Sequence, residues 1–172
     1  SLHWFGILPE SLYPIMKKKT WRIAGINFDH FHMGDLLRYA HEHNNAEIVG
    51  ISDEQPERME EAVKKLKIPR DRVFTNYKEC MEKTKPDIVI LCPAASKHGE
   101  WTVRVAKYDV HVMVEKPFAG SLKEADLMIR AMQGKTLMIN WPLQWVASQR
   151  KAFELVANGQ IGEVLNVWHF GG

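Results

Sequence analysis

Residues 87–92 read DIVILC, a run that is apolar after its first residue. A strand of this composition is typical of a parallel sheet, in which helices cover both faces of the inner strands. Similar β-branched runs stand before and after it, and segments with a helical period separate them. This alternation predicts an α/β protein built on a parallel sheet with crossover helices.

Six strands are predicted in total, and the helices between them are indicated by apolar residues that recur on one helical face. The strands are expected at 22–27, 47–52, 72–74, 87–92, 110–114 and 137–140. After the first strand, the apolar helix positions are Met33, Leu36, Leu37 and Ala40. After the fifth strand, Ser121 and Glu124 match a capping box. The predicted buried stripe of that helix is Leu122, Ala125, Ile129 and Met132.

The last part of the chain predicts one more helix and one more strand. The helix passes through residues 152–157 and ends at Asn158-Gly159, and the strand covers residues 164–170. A single strand cannot form an independent sheet, so we expect it to need partner strands that this chain does not supply.

The composition excludes several classes of protein. The chain has 23 Lys and Arg against 21 Asp and Glu, a net charge of +2, so nucleic acid is not an expected partner. No apolar run approaches the roughly 20 residues of a membrane span. Cys80 and Cys92 form neither a CxxC pair nor a disulfide framework, which favours a reducing, cytoplasmic location.

Polar and charged residues follow the predicted strands in a pattern that resembles a known family. These are the loop at residues 28–32, Asp53 after the second strand, residues 93–98 after the fourth, and Glu115-Lys116-Pro117 after the fifth. Together they resemble the N-terminal half of the Gfo/Idh/MocA oxidoreductases, and Glu-Lys-Pro is the most specific of them.

The resemblance implies a Rossmann-type, doubly wound parallel sheet over residues 16–140. Residues 141–172 would then be a linking helix and the first strand of an incomplete α+β domain for substrate binding and oligomerisation. Residues 1–15 are interpreted as an upstream extension or an expression remnant. The implied activity is hydride transfer between NAD(P) and a sugar, polyol or related hydroxyl substrate, in a homo-oligomer. Because the second catalytic element of the family lies in the second domain, this chain alone is not expected to turn over substrate.

Lys116 is the predicted catalytic residue. Oxidation of a secondary alcohol needs a hydride acceptor and a group that removes the hydroxyl proton. An ammonium beside a cationic nicotinamide, in a cleft that sheds water, has its charged form disfavoured, which favours proton transfer. The resemblance implies the same role for Lys116, with Glu115 orienting it or the cofactor. The alternative is a solvated Lys-Pro turn.

Asp53 is the predicted ribose ligand. A carboxylate at the end of the second strand can accept both hydroxyl protons of an adenosine ribose and repels a 2′-phosphate, which favours NAD over NADP. The alternative is an ordinary helix-capping aspartate.

The phosphate-binding loop departs from the GxGxxG pattern of the fold. Neither of the first two glycines is present, although Asn at position 27 tolerates the left-handed conformation. Asp29 adds a carboxylate where a pyrophosphate is expected. Two interpretations remain: the loop binds NAD in a shifted geometry with His30 and His32 as donors, or the chain is a non-catalytic binding or assembly module. On the first, the predicted cofactor residues are Asn27, Phe28, Asp29, His30, Phe31, Asp53, Pro93, His98, Glu115 and Lys116.

The histidines of the first helix region do not predict a metal site. His30 and His32 have the spacing of a ligand pair, and His41 and His43 follow them. The two pairs fall at opposite ends of one predicted helix, so four ligands would not converge.

Three more residues are candidates with an alternative for each. His98 contacts cofactor or substrate, or it is a polar residue in an exposed first turn. Trp141 contacts the substrate by stacking on a sugar, or it is a buried aromatic at a domain junction. Gln144 occupies the place where the family usually has an arginine, which makes recognition of an anionic substrate there doubtful. Lys116, Trp141 and Gln144 are therefore the predicted substrate residues.

Overall fold

The structure is a computed structural model that describes residues 19–168. These residues fall into two compact units, divided between Ile139 and Asn140. The predicted extension at residues 1–15 lies outside the described residues.

The first unit is built on a six-stranded sheet with the order β3-β2-β1-β4-β5-β6. Its strands are β1 (Trp21–Phe28), β2 (Ala46–Ser52), β3 (Val73–Phe74), β4 (Ile88–Cys92), β5 (His111–Glu115) and β6 (Leu137–Asn140). β1 pairs in parallel with β2 and with β4, β2 pairs in parallel with β3, and β4 with β5. The prediction of a Rossmann-type parallel sheet is confirmed.

The helices alternate with the strands. They are α1 (His32–Glu42), α2 (Glu60–Leu66), α3 (Tyr77–Thr84), α4 (His98–Ala106), α5 (Leu122–Ala131) and α6 (Ala147–Ala157). Short 3₁₀ turns cover Pro56–Met59, Arg70–Arg72, Ala95–Lys97 and Pro142–Trp145. None of the helices within residues 19–168 is long and apolar enough to cross a membrane.

Apolar side chains cover both faces of the sheet, as the sequence of β4 predicts. One cluster includes Ile26, Leu91 and Val114, and the other includes Leu37 and Ile51; all five are fully buried. Because neighbouring residues of a strand point to opposite faces, the near-continuous apolar run of β4 supplies both clusters.

The sheet order places a crevice at one edge. β2 and β4 lie on either side of β1, so the chain leaves β1 in one direction and returns on its other side. In open parallel sheets, ligands bind at such a reversal, outside the carboxyl ends of the strands. The residues that follow β1, β2, β4 and β5 therefore share one edge.

The buried face of α5 differs from the predicted stripe. Leu122 is 87% exposed and Ile129 is 54% exposed, whereas Met128 is buried in their place; the predicted burial of Met132 is confirmed. The Glu124 carboxylate fixes this rotation of the helix by accepting hydrogen bonds from the Gly99 N–H at 2.8 Å and the Gly120 N–H at 2.7 Å. The predicted cap is confirmed in one half, because the Ser121 hydroxyl oxygen accepts from the Glu124 N–H at 3.2 Å.

The strand predicted for residues 164–170 is not formed over residues 164–168, and residues 169–170 lie outside the described part. The physical reason is that a single strand needs partner strands, as the sequence predicts. A strand is defined by hydrogen bonds to a neighbour, and the described residues after β6 contain no second strand with which this segment could pair.

Gly50 gives a stability prediction for the sheet. A Cβ added there would lie 2.7 Å from the Cys80 sulfur and 2.9 Å from Thr84 Cγ2, which are side chains of α3 packed on β2. Gly50→Ala is therefore expected to lower the free energy of unfolding by about 1–3 kcal/mol through overpacking. Denaturant unfolding measures this effect. The control is Gly34→Ala in α1, where a Cβ meets nothing within 4 Å, and unchanged stability of both variants would contradict the packing described here.

Candidate active site

The loop between β1 and α1 begins with a left-handed residue. Asn27 has φ 66°, a conformation that glycine adopts most easily and that Asn tolerates better than most residues. The next N–H, that of Phe28, donates to Asp53 Oδ2 at 2.7 Å. The loop therefore turns as a glycine-containing loop would, and the end of β2 holds it in place.

Asp53 is buried at the end of β2, with 4% of its surface exposed. Besides the Phe28 N–H, its carboxylate accepts the Gln55 N–H at 2.8 Å, and the Arg58 guanidinium lies 3.8 Å away. A carboxylate has about four acceptor positions. The two backbone bonds leave acceptor capacity for the hydroxyls of a ligand.

Asp29 is held by its neighbours. One carboxylate oxygen pairs with the Arg58 guanidinium, and the other accepts the Ala94 N–H at 3.1 Å, just after Pro93 at the end of β4. The negative charge that the sequence places in the loop is thus compensated by a cation from the turn after β2. Arg58 is a site residue that the sequence analysis missed, although its position shortly after Asp53 was a usable signal.

Glu115 connects the end of β5 to the start of α1. It is 1% exposed, and its Oε1 lies 3.1 Å from His32 Nδ1 and 4.0 Å from Lys116 Nζ. The lysine side chain is 39% exposed, and the Lys116–Pro117 peptide bond is cis. Lys116 therefore stands on the same sheet edge as the β1–α1 loop, which the enzymatic hypothesis requires.

His98 is buried, so the alternative of an exposed first turn is wrong. Its side chain is 1% exposed, and Nδ1 donates to the Pro117 carbonyl oxygen at 2.6 Å. Since a carbonyl can only accept, Nδ1 carries a proton. His98 anchors the segment that immediately follows Lys116.

His30 lies between these groups. Its ring stacks on Phe31, which is 78% exposed, and meets the His32 ring edge to face at 4.4 Å between centroids. Burial lowers the pKa of His30; Glu115 opposes the shift, and the positive charges of His32 and Lys116 add to it. A histidine with a lowered pKa is neutral at neutral pH and offers one donor and one acceptor.

A cavity of about 750 Å³ opens beside Asp53. It is lined by residues from the end of β2, from the turn after β3 and from α4, among them Asp53, Glu54, Asn76, Tyr77 and Arg104. All of these belong to the first unit, so the carboxylate at the end of β2 lines a cavity that is partly open to solvent.

Trp141 and Gln144 belong to the second unit and are not placed with the residues above. Trp141 is 51% exposed, and Gln144 is exposed as well, within a 3₁₀ turn that precedes α6. Their predicted contacts with substrate stay predictions.

The similarity to known proteins covers mainly the first unit. The family model described as an oxidoreductase family with an NAD-binding Rossmann fold, Gfo/Idh/MocA, matches residues 21–141. Glycosyl hydrolase family 109 protein 1 of Akkermansia muciniphila is 33% identical over 129 residues, covering 70% of this chain and 27% of the relative. The putative oxidoreductase YteT of Bacillus subtilis is 30% identical over 130 residues, covering 70% and 29%.

The fold has solved counterparts. Scyllo-inositol dehydrogenase from Lactobacillus casei, with bound NAD(H) and scyllo-inositol, superimposes with a TM-score of 0.72 at 18% identity, covering 84% of this chain and 43% of that one. The chain spans about a quarter to two fifths of the length of the curated relatives that it matches.

Proposed function

The chain belongs to the Gfo/Idh/MocA oxidoreductase family, whose Rossmann fold binds NAD, and from that membership we propose that it is the dinucleotide-binding part of an NAD-dependent enzyme. The enzyme transfers a hydride between nicotinamide and a hydroxyl group of a sugar, polyol or related substrate. Lys116 is its proposed catalytic residue, and Asp53 is its proposed ribose ligand.

One observation carries the proposal. The β1–α1 loop is tied to Asp53 on one side and, through His32 and Glu115, to the segment of Lys116 on the other. An extended dinucleotide laid along this edge passes from the carboxylate at the end of β2 to the ammonium after β5.

The residues fit NAD. Asp53 has acceptor capacity for the two ribose hydroxyls, and the cavity beside it suits an adenosine. The pyrophosphate would pass the start of α1, where the helix dipole favours an anion. Pairing with Arg58 removes the main objection to the loop, because Asp29 then presents no uncompensated charge to the phosphates.

The chemistry of the site follows from its side chains. When bound, NAD supplies the hydride acceptor. In its neutral amine form, Lys116 Nζ accepts the proton of the substrate hydroxyl as the carbonyl forms, becomes the ammonium, and returns that proton in the reverse direction. Glu115 acts as a positioning residue, because its buried carboxylate attracts the ammonium and pairs with His32. His98 holds the Pro117 carbonyl and thereby limits the movement of the Lys116 backbone.

The names of related proteins support a carbohydrate-type substrate. They include a glycosyl hydrolase at 33% identity and a D-glucoside 3-dehydrogenase at 26% identity. The alternative of a non-catalytic binding or assembly module has no comparable support. Homo-oligomerisation and a cytoplasmic location stay predictions.

Arg58 gives a prediction for the loop. Arg58→Ala leaves the Asp29 carboxylate without its cation beside the phosphates, so NAD⁺ affinity is expected to fall by about tenfold. Adding Asp29→Asn removes that charge and is expected to restore most of the affinity, as coupled residues do in a double-mutant cycle. The control is Arg38→Ala, since Arg38 is similarly exposed and pairs within α1. Equal affinity of the Arg58→Ala and Arg38→Ala variants would contradict this account of the loop.

Calorimetric titration with NAD⁺ and NADP⁺ tests the proposed function. We expect saturable binding of NAD⁺ and binding of NADP⁺ that is at least about tenfold weaker, because Asp53 repels a 2′-phosphate. Absence of heat at millimolar NAD⁺ would remove the proposal.

A further inference from the structure

Three side chains converge beside the start of α1, and two of them, His32 and Glu115, also link the β1–α1 loop to the segment of Lys116. His30, His32 and Glu115 each offer one potential ligand atom, and these atoms all lie within 4.8 Å of one another. We propose that His30, His32 and Glu115 form a binding site for a divalent transition metal ion of the Zn²⁺ class.

The geometry of one pair matches a metal site closely. Zinc bonds to His nitrogen and carboxylate oxygen are about 2.0–2.2 Å long, so two tetrahedral ligand atoms stand about 3.3 Å apart. His32 Nδ1 and Glu115 Oε1 are 3.1 Å apart. An ion reaches both atoms without movement of the backbone.

The His30 ring has to move closer to the other two ligand atoms before it can bind the same ion. The ligand atoms all lie within 4.8 Å of one another, so a movement of the His30 ring of at most about 1.5 Å reaches the spacing of a tetrahedral site. This ring is only half-buried, and its stacking partner Phe31 is 78% exposed. The single hydrogen bond to its Nδ1, from the His32 N–H, is long at 3.3 Å and weak. The ring is therefore free to turn.

The donor set selects the kind of ion. Two imidazoles and one carboxylate are a known ligand set of zinc sites that keep a fourth position open for water or substrate. Mg²⁺ and Ca²⁺ prefer oxygen ligands throughout, so a site with two imidazoles disfavours them.

The surrounding charges are compatible with an ion. The Glu115 carboxylate is 1% exposed, and a cation at close range stabilises a buried carboxylate. Lys116 Nζ, 4.0 Å away, would compete with a metal, but its side chain is 39% exposed and can swing towards solvent. His98 adds no lone pair from Nδ1, because that atom donates to Pro117.

His41 and His43, the second histidine pair of this region, supply the control for metal binding. His41 and His43 lie at the other end of α1, as expected, and both are exposed. The parallel sheet predicts that the end of β5 shares an edge with the loop after β1, but the approach of the Glu115 carboxylate to His32 depends on how the two loops pack and is not readable from the sequence.

Titration of the untagged chain with Co²⁺ and Zn²⁺, without NAD, tests the proposal independently of the proposed function. We expect one equivalent of Co²⁺ to produce the visible absorption of a low-coordinate site, and one equivalent of Zn²⁺ to displace it. His30→Ala, His32→Ala and Glu115→Gln are each expected to weaken binding by about 100-fold or more, since loss of outer partners alone costs about 10–100-fold. The double variant His41→Ala/His43→Ala is expected to bind as the unaltered chain does.

A thermal readout guards against variants that fail to fold. Zn²⁺ is expected to raise the unfolding temperature of the unaltered chain and of the His41/His43 variant, because an ion that binds only the folded state stabilises it. It should not raise that of His30→Ala, whose altered side chain is half-exposed and whose fold circular dichroism can verify. The proposal is overturned by absence of saturable binding, by a His30→Ala or His32→Ala variant that binds as tightly as the unaltered chain, or by loss of binding in the His41/His43 variant. The first result would leave His32 and Glu115 as a simple ion pair.

Discussion

Replacing Lys116 with methionine is expected to lower the rate of hydride transfer by about 10²- to 10⁴-fold, the usual contribution of a positioned acid or base. Methionine keeps much of the aliphatic stem and removes the amine, so packing changes little while the group that accepts the hydroxyl proton is lost. NADH absorbance with inositols and aldoses as probe substrates measures this rate, in a form of the protein that includes the substrate-binding part.

The same variant is also expected to change the relative affinities for NAD⁺ and NADH, which can be measured on this chain without the substrate-binding part. The oxidised nicotinamide is cationic and the reduced one is neutral, so removing the ammonium of Lys116 is expected to favour NAD⁺ relative to NADH by several-fold. The control is Lys64→Met on the exposed face of α2, which should change neither the rate nor the ratio. If the ratio of the NAD⁺ affinity to the NADH affinity is the same in Lys116→Met as in the unaltered chain, the amine lies away from the nicotinamide.

Asp53→Ala is expected to have the second-largest effect, on both stability and affinity. The carboxylate accepts two backbone N–H groups, from Phe28 and Gln55, at 2.7 and 2.8 Å. Hydrogen bonds to a charged group contribute about 1.5–3 kcal/mol each, so we expect the free energy of unfolding to fall by about 3–6 kcal/mol. NAD⁺ affinity is expected to fall by about 100-fold, because two ribose hydroxyls lose their acceptor.

Denaturant unfolding and calorimetry measure these two quantities separately. Asp71→Ala, an exposed aspartate in the turn before β3, is the matched control and should leave both unchanged. If Asp53→Ala loses stability but binds NAD⁺ as before, Asp53 is only the capping residue that the sequence left as an alternative.

The sheet was predictable because its information is local. Continuous apolar runs such as residues 87–92 specify strands buried on both faces, and the residues that follow them then share an edge. That reasoning was sufficient to bring Asp53, Lys116 and the β1–α1 loop together. The left-handed conformation at position 27, where the structure has φ 66°, was also compatible with the sequence, because Asn tolerates that conformation.

What the sequence did not predict depends on contacts between distant segments. The rotation of α5 is set by Glu124 reaching Gly99 on α4, and no periodicity within α5 encodes that bond. The charge of Asp29 is compensated by Arg58 from the turn after β2. The approach of Glu115 to His32 likewise depends on how two loops pack, and a search for metal ligands along the sequence does not find it.

The central claim is that NAD binds along one edge of this sheet, with its adenosine end at Asp53 and its nicotinamide end at Lys116. A crystal structure of the chain in complex with NAD⁺ tests it most directly. We predict the adenosine ribose hydroxyls on the Asp53 carboxylate and the nicotinamide ring beside the Lys116 amine. A dinucleotide bound at another place, or one whose nicotinamide points away from Lys116, would contradict the account.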